Sequence, residues 1–239
     1  MPLAAAYHRP GSLDEALVLL AEPNRQALAG GTTLNADREP SVVEFVDLQA
    51  LGLDEITPAG GRLDIGATAT LAAVAESGEV PEWLREIARA EEPSTLRTLA
   101  TVGGSIAASS PDSVFLAALL VSDAHVSVAG SDPCSLADLL DDGVPRGAII
   151  TSISIAVDGA GASASTGRTP ADVPIVCAVA RSSETQTAVA LTGVAGTVVL
   201  VSTSDPTAGL SPVGDFRGSP EYRVELAGIL AARAQEALR

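Results

Sequence analysis

Residues 28–35 read Leu-Ala-Gly-Gly-Thr-Thr-Leu-Asn (LAGGTTLN), a short apolar run that ends in two glycines and two threonines. A near copy, Thr-Val-Gly-Gly-Ser-Ile-Ala (TVGGSIA), stands at residues 101–107. Glycine leaves its backbone N–H uncovered and tolerates positive φ, so consecutive amides can converge on one anion. A hydroxyl at the next position adds a donor that rotates to meet a phosphate oxygen. Neither stretch has the lysine that a P-loop needs, and neither has the G-x-G-x-x-G spacing of a dinucleotide fold. Each taken alone reads equally well as a tight turn at a strand end. As a pair they suggest two amide nests closing on the two halves of a pyrophosphate, an anion held without cations.

Working outward from the first stretch, Ser12-Leu13-Asp14-Glu15 starts a helix. Ser12 can cap the first turn, Glu15 can reach back, and Leu13, Ala16, Leu17 and Leu20 follow at helical spacing. Strands are expected at 26–29, running into the glycines, and at 42–47, giving a small α/β unit over residues 1–54. DEITPAGGRLDIGA, residues 54–67, reads as a hairpin across Gly60-Gly61. Residues 70–77 and 82–92 look helical, with Trp83 as a core anchor. Ser110-Pro111-Asp112 then opens a further helix, with Ser110 as its cap. HVSVAG and IITSISIAV alternate as strands, so residues 55–156 form an α+β unit with a mainly antiparallel sheet. The Gly-, Ser- and Ala-rich stretch 158–172 marks a flexible boundary within a linker at 157–172. Residues 173–239 read as a cap of three strands and a closing helix that starts at Ser219-Pro220-Glu221. The fold class is α+β.

A chain of 239 residues with formal net charge −16 has no basic surface for nucleic acid or an anionic membrane. No apolar stretch suits membrane insertion and the N-terminus lacks a signal-peptide pattern, so a cytoplasmic protein is expected. Cys134 and Cys177 read as reduced thiols and cannot supply the four ligands of an iron–sulfur cluster or a structural zinc site. His8 and His125 stand apart and carry no catalytic pattern. Arg217 and Arg223, around the start of the last helix, read as capping or surface residues. No catalytic residue and no metal ligand is assigned.

LAGGTTL, followed by LRTLATVGGSIAASSPDSVFLAALLVSDA, resembles the FAD-binding medium subunit of the molybdenum hydroxylases, the xanthine dehydrogenase and carbon monoxide dehydrogenase flavoprotein family. RTPADVPIVCAVA and DFRGSPEYRVELAGIL continue the resemblance in collinear order over nearly the whole chain. The resemblance implies a two-part FAD-binding domain of the PCMH type at 1–156, divided into 1–54 and 55–156. It also implies a C-terminal cap at 173–239 like that of the CO dehydrogenase flavoprotein. Carried over residue by residue, Leu28, Ala29, Gly30, Gly31, Thr32, Thr33 and Leu34 hold one side of the FAD pyrophosphate. Thr101, Val102, Gly103, Gly104 and Ser105 hold the other side, and Ile150 lies near the flavin. Where the family has a ribose-binding Asp this chain has Val114, with Asp112 as the candidate substitute. No aromatic or Lys occupies the ring-side stretch 162–165.

The implied function is electron transfer by an oxidoreductase subunit. Electrons pass from the [2Fe-2S] clusters of a small partner subunit through FAD to an acceptor such as NAD or oxygen. Molybdopterin belongs to a large partner subunit. Two alternatives stand beside it: a flavin-free docking subunit that keeps the fold, and a free-standing flavin oxidase.

Overall fold

The computed structural model describes residues 3–36, 42–167, 169 and 172–239. The chain opens with strand β1 (Leu3–His8), helix α1 (Leu13–Leu20), strand β2 (Arg25–Leu28), the one-turn helix α2 (Thr32–Ala36) and strand β3 (Val42–Asp47). Ser12 Oγ accepts the Glu15 N–H at 3.2 Å, and the Glu15 carboxylate accepts the Gly11 N–H at 2.9 Å. That reciprocal pair sets where α1 begins. The buried side of α1, Ala16 and Leu20, packs with Val46, Leu48 and Ile149. Helical connections bring the strands together in parallel, in the order β1-β3-β2.

The second sheet is antiparallel. Strands β4 (Ile56–Ala59) and β5 (Arg62–Gly66) form the hairpin expected across Gly60-Gly61. Four helices follow: α3 (Leu71–Glu76), α4 (Glu82–Glu91), α5 (Ser94–Arg97) and α6 (Val102–Ala108). Next come α7 (Val114–Val121), β6 (His125–Val128), β7 (Cys134–Ser135), α8 (Leu136–Asp142) and β8 (Ile150–Ala156), which completes the order β4-β5-β8-β6-β7. Every residue of α7 from Phe115 to Val121 is buried, because this helix touches α4 on one side and the C-terminal sheet on another. A helix that is apolar all round needs such enclosure.

Helix α7 starts later than the sequence suggests. Ser113, not Ser110, is its cap and accepts the Leu116 N–H at 3.1 Å, while Ser110-Pro111-Asp112 forms a preceding turn. Glu91, at the end of α4, decides between the two serines. Its carboxylate accepts the Ser113 hydroxyl and the Phe115 N–H, the latter at 2.9 Å. Burial pushes the Glu91 carboxyl above its ordinary value of 4.5, against the opposing pull of its bonds to Ser113 and Phe115. A carboxyl raised by folding stabilises the fold below its unfolded value, and that contribution is lost as pH rises through the folded value. The stability of the wild type relative to Glu91→Gln is therefore expected to fall as pH climbs from 4.5 toward neutrality. Paired urea midpoints across that range check this, and a constant difference refutes it. Glu91→Ala, which orphans the Phe115 amide, is expected to cost about 1–3 kcal/mol.

The third sheet holds four strands rather than three. They are β9 (Ala160–Thr166), β10 (Val176–Ser182), β11 (Thr187–Thr192) and β12 (Val199–Val201), in the order β12-β11-β10-β9. Helix α9 (Pro220–Glu236) packs on β10 and β9, and Ser219 caps it. Strand β9 lies in the stretch expected to be a flexible linker, and it pairs with β10 along its whole length. Its small residues serve contact rather than flexibility: a Cβ on Gly161 would come 2.2 Å from the Trp83 ring. Arg168 of the RTPAD segment lies outside the described residues. The result is a mixed fold with one parallel and two antiparallel sheets. Among the described residues no helix is long and apolar enough to cross a membrane.

Candidate functional site

The main cleft lies between the parallel sheet and the five-stranded sheet. Its walls come from the β2–α2 loop, Leu48 just past β3, Ala67 and Thr68 just past β5, helix α6, and residues 144–150 leading into β8. It encloses about 850 Å³, counting the part open to solvent, within the ~300–1,000 Å³ typical of ligand pockets. It opens where β2 and β3 end, the carboxyl edge at which open parallel sheets bind ligands.

The first glycine pair shapes one wall. Gly30 presses against the 99–100 backbone so closely that a Cβ would stand 1.7 Å from the Leu99 carbonyl oxygen. Gly31 takes φ 68°, a left-handed value that favours glycine. The chain then turns into α2, whose first residues have no intrahelical acceptor for their N–H groups. Among the described residues the amides of Gly30, Gly31, Thr32 and Thr33 meet no protein acceptor. Gln49 Nε2 donates to the Ala29 carbonyl at 3.2 Å and fixes the approach to the loop. Four amides and two hydroxyls thus stand at the cleft, on residues that line it.

The second glycine pair works differently from the expected amide nest. Thr101–Ser105 is the cap and first turn of α6, and its donors are already satisfied. Val102 N–H meets the Ala69 carbonyl at 2.9 Å and Gly103 N–H meets Ala67 at 2.8 Å. Gly104 N–H bonds Thr101 Oγ1 at 3.1 Å, and Ser105 N–H bonds the Thr101 carbonyl at 2.9 Å. What these glycines supply is proximity. A Cβ on Gly103 would lie 2.8 Å from the Ala67 Cβ, so α6 sits flush on the end of β5. Gly104, Ala107 and Ala108 turn a flat surface of small residues to the cleft. The arrangement is one wall of donors facing one smooth wall.

Of the residues expected at the site, Ala29, Gly30, Gly31, Thr32, Thr33, Leu34, Thr101, Gly103, Gly104 and Ile150 line this single cleft. Leu28 ends β2 just behind it. Val102 is buried in the core, and the Ser105 hydroxyl donates to the Thr101 carbonyl at 3.1 Å. Asp112 is not in the lining; its carboxylate is held by Arg217 at 3.0 Å. Val114 packs on the core. The sequence reading missed Thr68, Ala107, Ala108, Val144, Ala148 and Ile149. Apart from the hydroxyl of Thr68 they are small or aliphatic, and nothing in their type signals a ligand.

No charged side chain is among the lining residues. An anion in this cleft would be held by backbone dipoles and hydroxyls. The two histidines lie elsewhere. His8 pairs with Glu44 at 2.9 Å, and Arg25 and then His8 hold the Glu44 carboxyl below its ordinary value. His125 Nδ1 sits 3.1 Å from the Asp123 carbonyl. Both cysteines are free; burial, and then the nearby Glu91 charge, push the Cys177 thiol up to about 12. Among the described residues no cluster of His, Cys, Asp and Glu could hold a metal ion.

The donor-lined cradle, closed to a Cβ at Gly30, fits a pyrophosphate, and the smooth α6 wall fits a flat ring system. Comparison with known proteins agrees. Residues 3–155 match the family model of the FAD binding domain in molybdopterin dehydrogenase. The uncharacterised protein YgfM of Escherichia coli K12 is 29% identical over 243 aligned residues, covering 95% of this chain and 93% of that protein. Among solved structures, the reconstituted CO dehydrogenase from Oligotropha carboxidovorans aligns over 100% of this chain and 98% of the matched chain, with TM-score 0.87 at 25% identity. Quinoline 2-oxidoreductase from Pseudomonas putida 86 aligns over 99% and 97%, with TM-score 0.88 at 22% identity. This chain therefore belongs to the family of FAD-binding domains of molybdopterin dehydrogenases.

Proposed function

We propose that this chain is the electron-transfer flavoprotein subunit of a cytoplasmic molybdenum hydroxylase complex. It links the [2Fe-2S] clusters of a small partner subunit to an external acceptor such as NAD or oxygen, while molybdopterin resides in a large partner subunit. The observation that carries this reading is the set of unpaired amides at Gly30–Thr33 facing a cleft with no charged side chain. The absence of any metal-binding cluster among the described residues suits a chain whose only redox group is organic. The same proposal assigns residues 1–54 and 55–156 to the FAD-binding domain and 157–239 to the cap, with β9 joining the cap it pairs with.

Bound FAD supplies redox chemistry that no side chain of this chain possesses. The residues of the chain bind and orient it. Gly30, Gly31, Thr32 and Thr33 would donate to the pyrophosphate, and Gly104, Ala107 and Ala108 would press against a planar group. Ile149 and Ile150, both buried, would exclude water from the inner end. No proton-transfer residue is assigned, because no titratable side chain lines the cleft.

The test is to purify the tagged chain from its native host and record both its visible spectrum and its companions. A yellow protein that carries one FAD and brings down a molybdopterin subunit and a ferredoxin-like subunit is expected. A colourless chain that cannot be reconstituted with FAD overturns the flavoprotein reading and leaves a docking role. A flavoprotein that purifies alone under all conditions overturns the complex.

A further inference from the structure

Helix α6 is poorly equipped to hold its own position. It has seven residues, VGGSIAA, and two of them are glycines, each costing about 1 kcal/mol in a helix relative to alanine. Thr101 caps its N-terminus. Its C-terminus passes through Ser109, at a left-handed φ of 47°, into the turn Ser110-Pro111-Asp112.

The C-terminal unit grips that segment at three points. The hydroxyls of Ser109 and Thr197 lie 3.1 Å apart. The Gly193 N–H donates to the Pro111 carbonyl at 2.8 Å. Arg217 Nη2 donates to Asp112 Oδ2 at 3.0 Å. Two of these grips lead back to one guanidinium. Arg223, on α9 and 3% exposed, donates to the Gly193 carbonyl at 2.7 Å and to the Ile175 carbonyl at 2.8 Å. Through Nη2 it also donates to Asp215 Oδ1 at 2.7 Å. Asp215 in turn accepts from the Arg217 Nε and backbone N–H, both at 2.8 Å. One arm thus runs Arg223–Gly193–Pro111 and the other Arg223–Asp215–Arg217–Asp112. Both end on the turn that tethers the cleft's smooth wall.

We propose that the Asp112–Arg217 pair is a positioning latch, through which the C-terminal unit sets the pose of α6 and so the width of the cofactor cleft. The part of this inference that concerns FAD rests on the flavoprotein reading above. Asp112 and Arg217 act through α6 and touch no cofactor. Their side chains are 25% and 21% exposed, and a pair so placed adds little to global stability. Its loss shows as misplacement of α6 rather than as unfolding.

The experiment compares the full chain with Asp112→Asn, Arg217→Gln, the double variant and Asp112→Glu, reading FAD dissociation constants and amide exchange together. Each single substitution is expected to weaken FAD binding about 5- to 10-fold, the ordinary range for coupling between separate sites. The double variant is expected to be no worse than either single one, and Asp112→Glu to recover most of the affinity. Exchange at residues 102–109 is expected to quicken in both single variants while α9 stays protected. Weakening by Asp112→Asn alone, with Arg217→Gln like wild type, would mean that Asp112 binds the cofactor itself and would overturn the latch. Unchanged exchange at 102–109 in both variants overturns it as well, whatever the flavin does. Should wild-type chain take up no FAD, the flavoprotein reading fails, and the exchange measurement alone decides the latch.

Discussion

Gly30→Ala is expected to give a folded but colourless protein. The added Cβ would stand 1.7 Å from the Leu99 carbonyl oxygen and 2.5 Å from its carbon. Both are backbone atoms, so no side chain can swing aside. Nor is that backbone free to retreat: Leu99 and Ala100 donate to the Leu96 carbonyl, and the Ala100 carbonyl accepts from Leu71. The β2–α2 loop must therefore back away by more than an ångström, carrying the four unpaired amides with it. Overpacking of this kind costs about 1–3 kcal/mol of stability. Losing two charge-assisted hydrogen bonds of about 1.5 kcal/mol each removes on the order of 100-fold in affinity. FAD retained after dialysis, read from the visible spectrum, together with the urea midpoint, separates the two effects. Gly104→Ala is a milder comparison, because its Cβ would meet only the rotatable Thr101 Oγ1, at 2.8 Å. Gly11→Ala, with nothing within 4 Å of its Cβ, should match wild type. A Gly30→Ala protein that keeps its FAD would show that the first loop is not the grip.

The contrast between the two glycine pairs marks how far the sequence could be read. In LAGGTTL the local signal was sufficient, because a strand that ends in glycines and turns into a short helix leaves its amides free for local reasons. In TVGGSIA the same residue types have occupied amides, because the end of β5 supplies Ala67 and Ala69 as acceptors. That pairing is tertiary and leaves no trace in residue order. A similar limit applies at α7. Ser110-Pro111 and Ser113 are both plausible starts, and the choice falls to Glu91, on another helix. The stretch 158–172 failed for the opposite reason. Its Gly, Ala and Ser content is that of a linker, yet small residues are also what a strand needs to lie against Trp83. The periodic strands, the hairpin and the capped helices α1 and α9 were legible because their determinants are local. Most of the remaining cleft wall was not, since Ala107, Ala108 and Ala148 carry no chemistry of their own.

Asp112 shows how these limits combine. Its type and position beside the expected helix start made it a ribose-binding candidate, yet the later start of α7 places it in a turn, within reach of Arg217. Arg217 and Arg223 in turn read as surface residues because their partners are backbone carbonyls and a distant aspartate. The acidic surface of the protein, at net charge −16, makes an inward-turned arginine informative: these cations serve the interior of the fold rather than its ligand.

Arg223→Met is accordingly expected to be among the most destabilising single changes in the C-terminal unit. The substitution keeps an unbranched apolar stem of similar reach and removes every donor. The Ile175 and Gly193 carbonyls, held at 2.8 and 2.7 Å, lose their guanidinium donor beneath α9, and Asp215 loses one of its two arginines. Removing one member of a buried, hydrogen-bonded charge network costs about 3–5 kcal/mol. The wild type already carries the cost of an Arg223 Nε that is buried with no partner, so the four bonds of the two terminal nitrogens matter all the more. Arg223→Lys is expected to fall between wild type and Met, because an ammonium is a point donor and cannot span the forked set of acceptors. Denaturant unfolding followed by circular dichroism gives the comparison, with the exposed Glu82→Gln as a neutral reference. A loss below about 0.5 kcal/mol, the scatter of ordinary surface changes, would refute the network's importance. Flavin affinity is expected to fall alongside stability in Arg223→Met, because both arms that reach Pro111 and Asp112 begin at this side chain. Asp112→Asn, which cuts one arm near its far end, should lower flavin affinity while leaving the unfolding midpoint nearly unchanged.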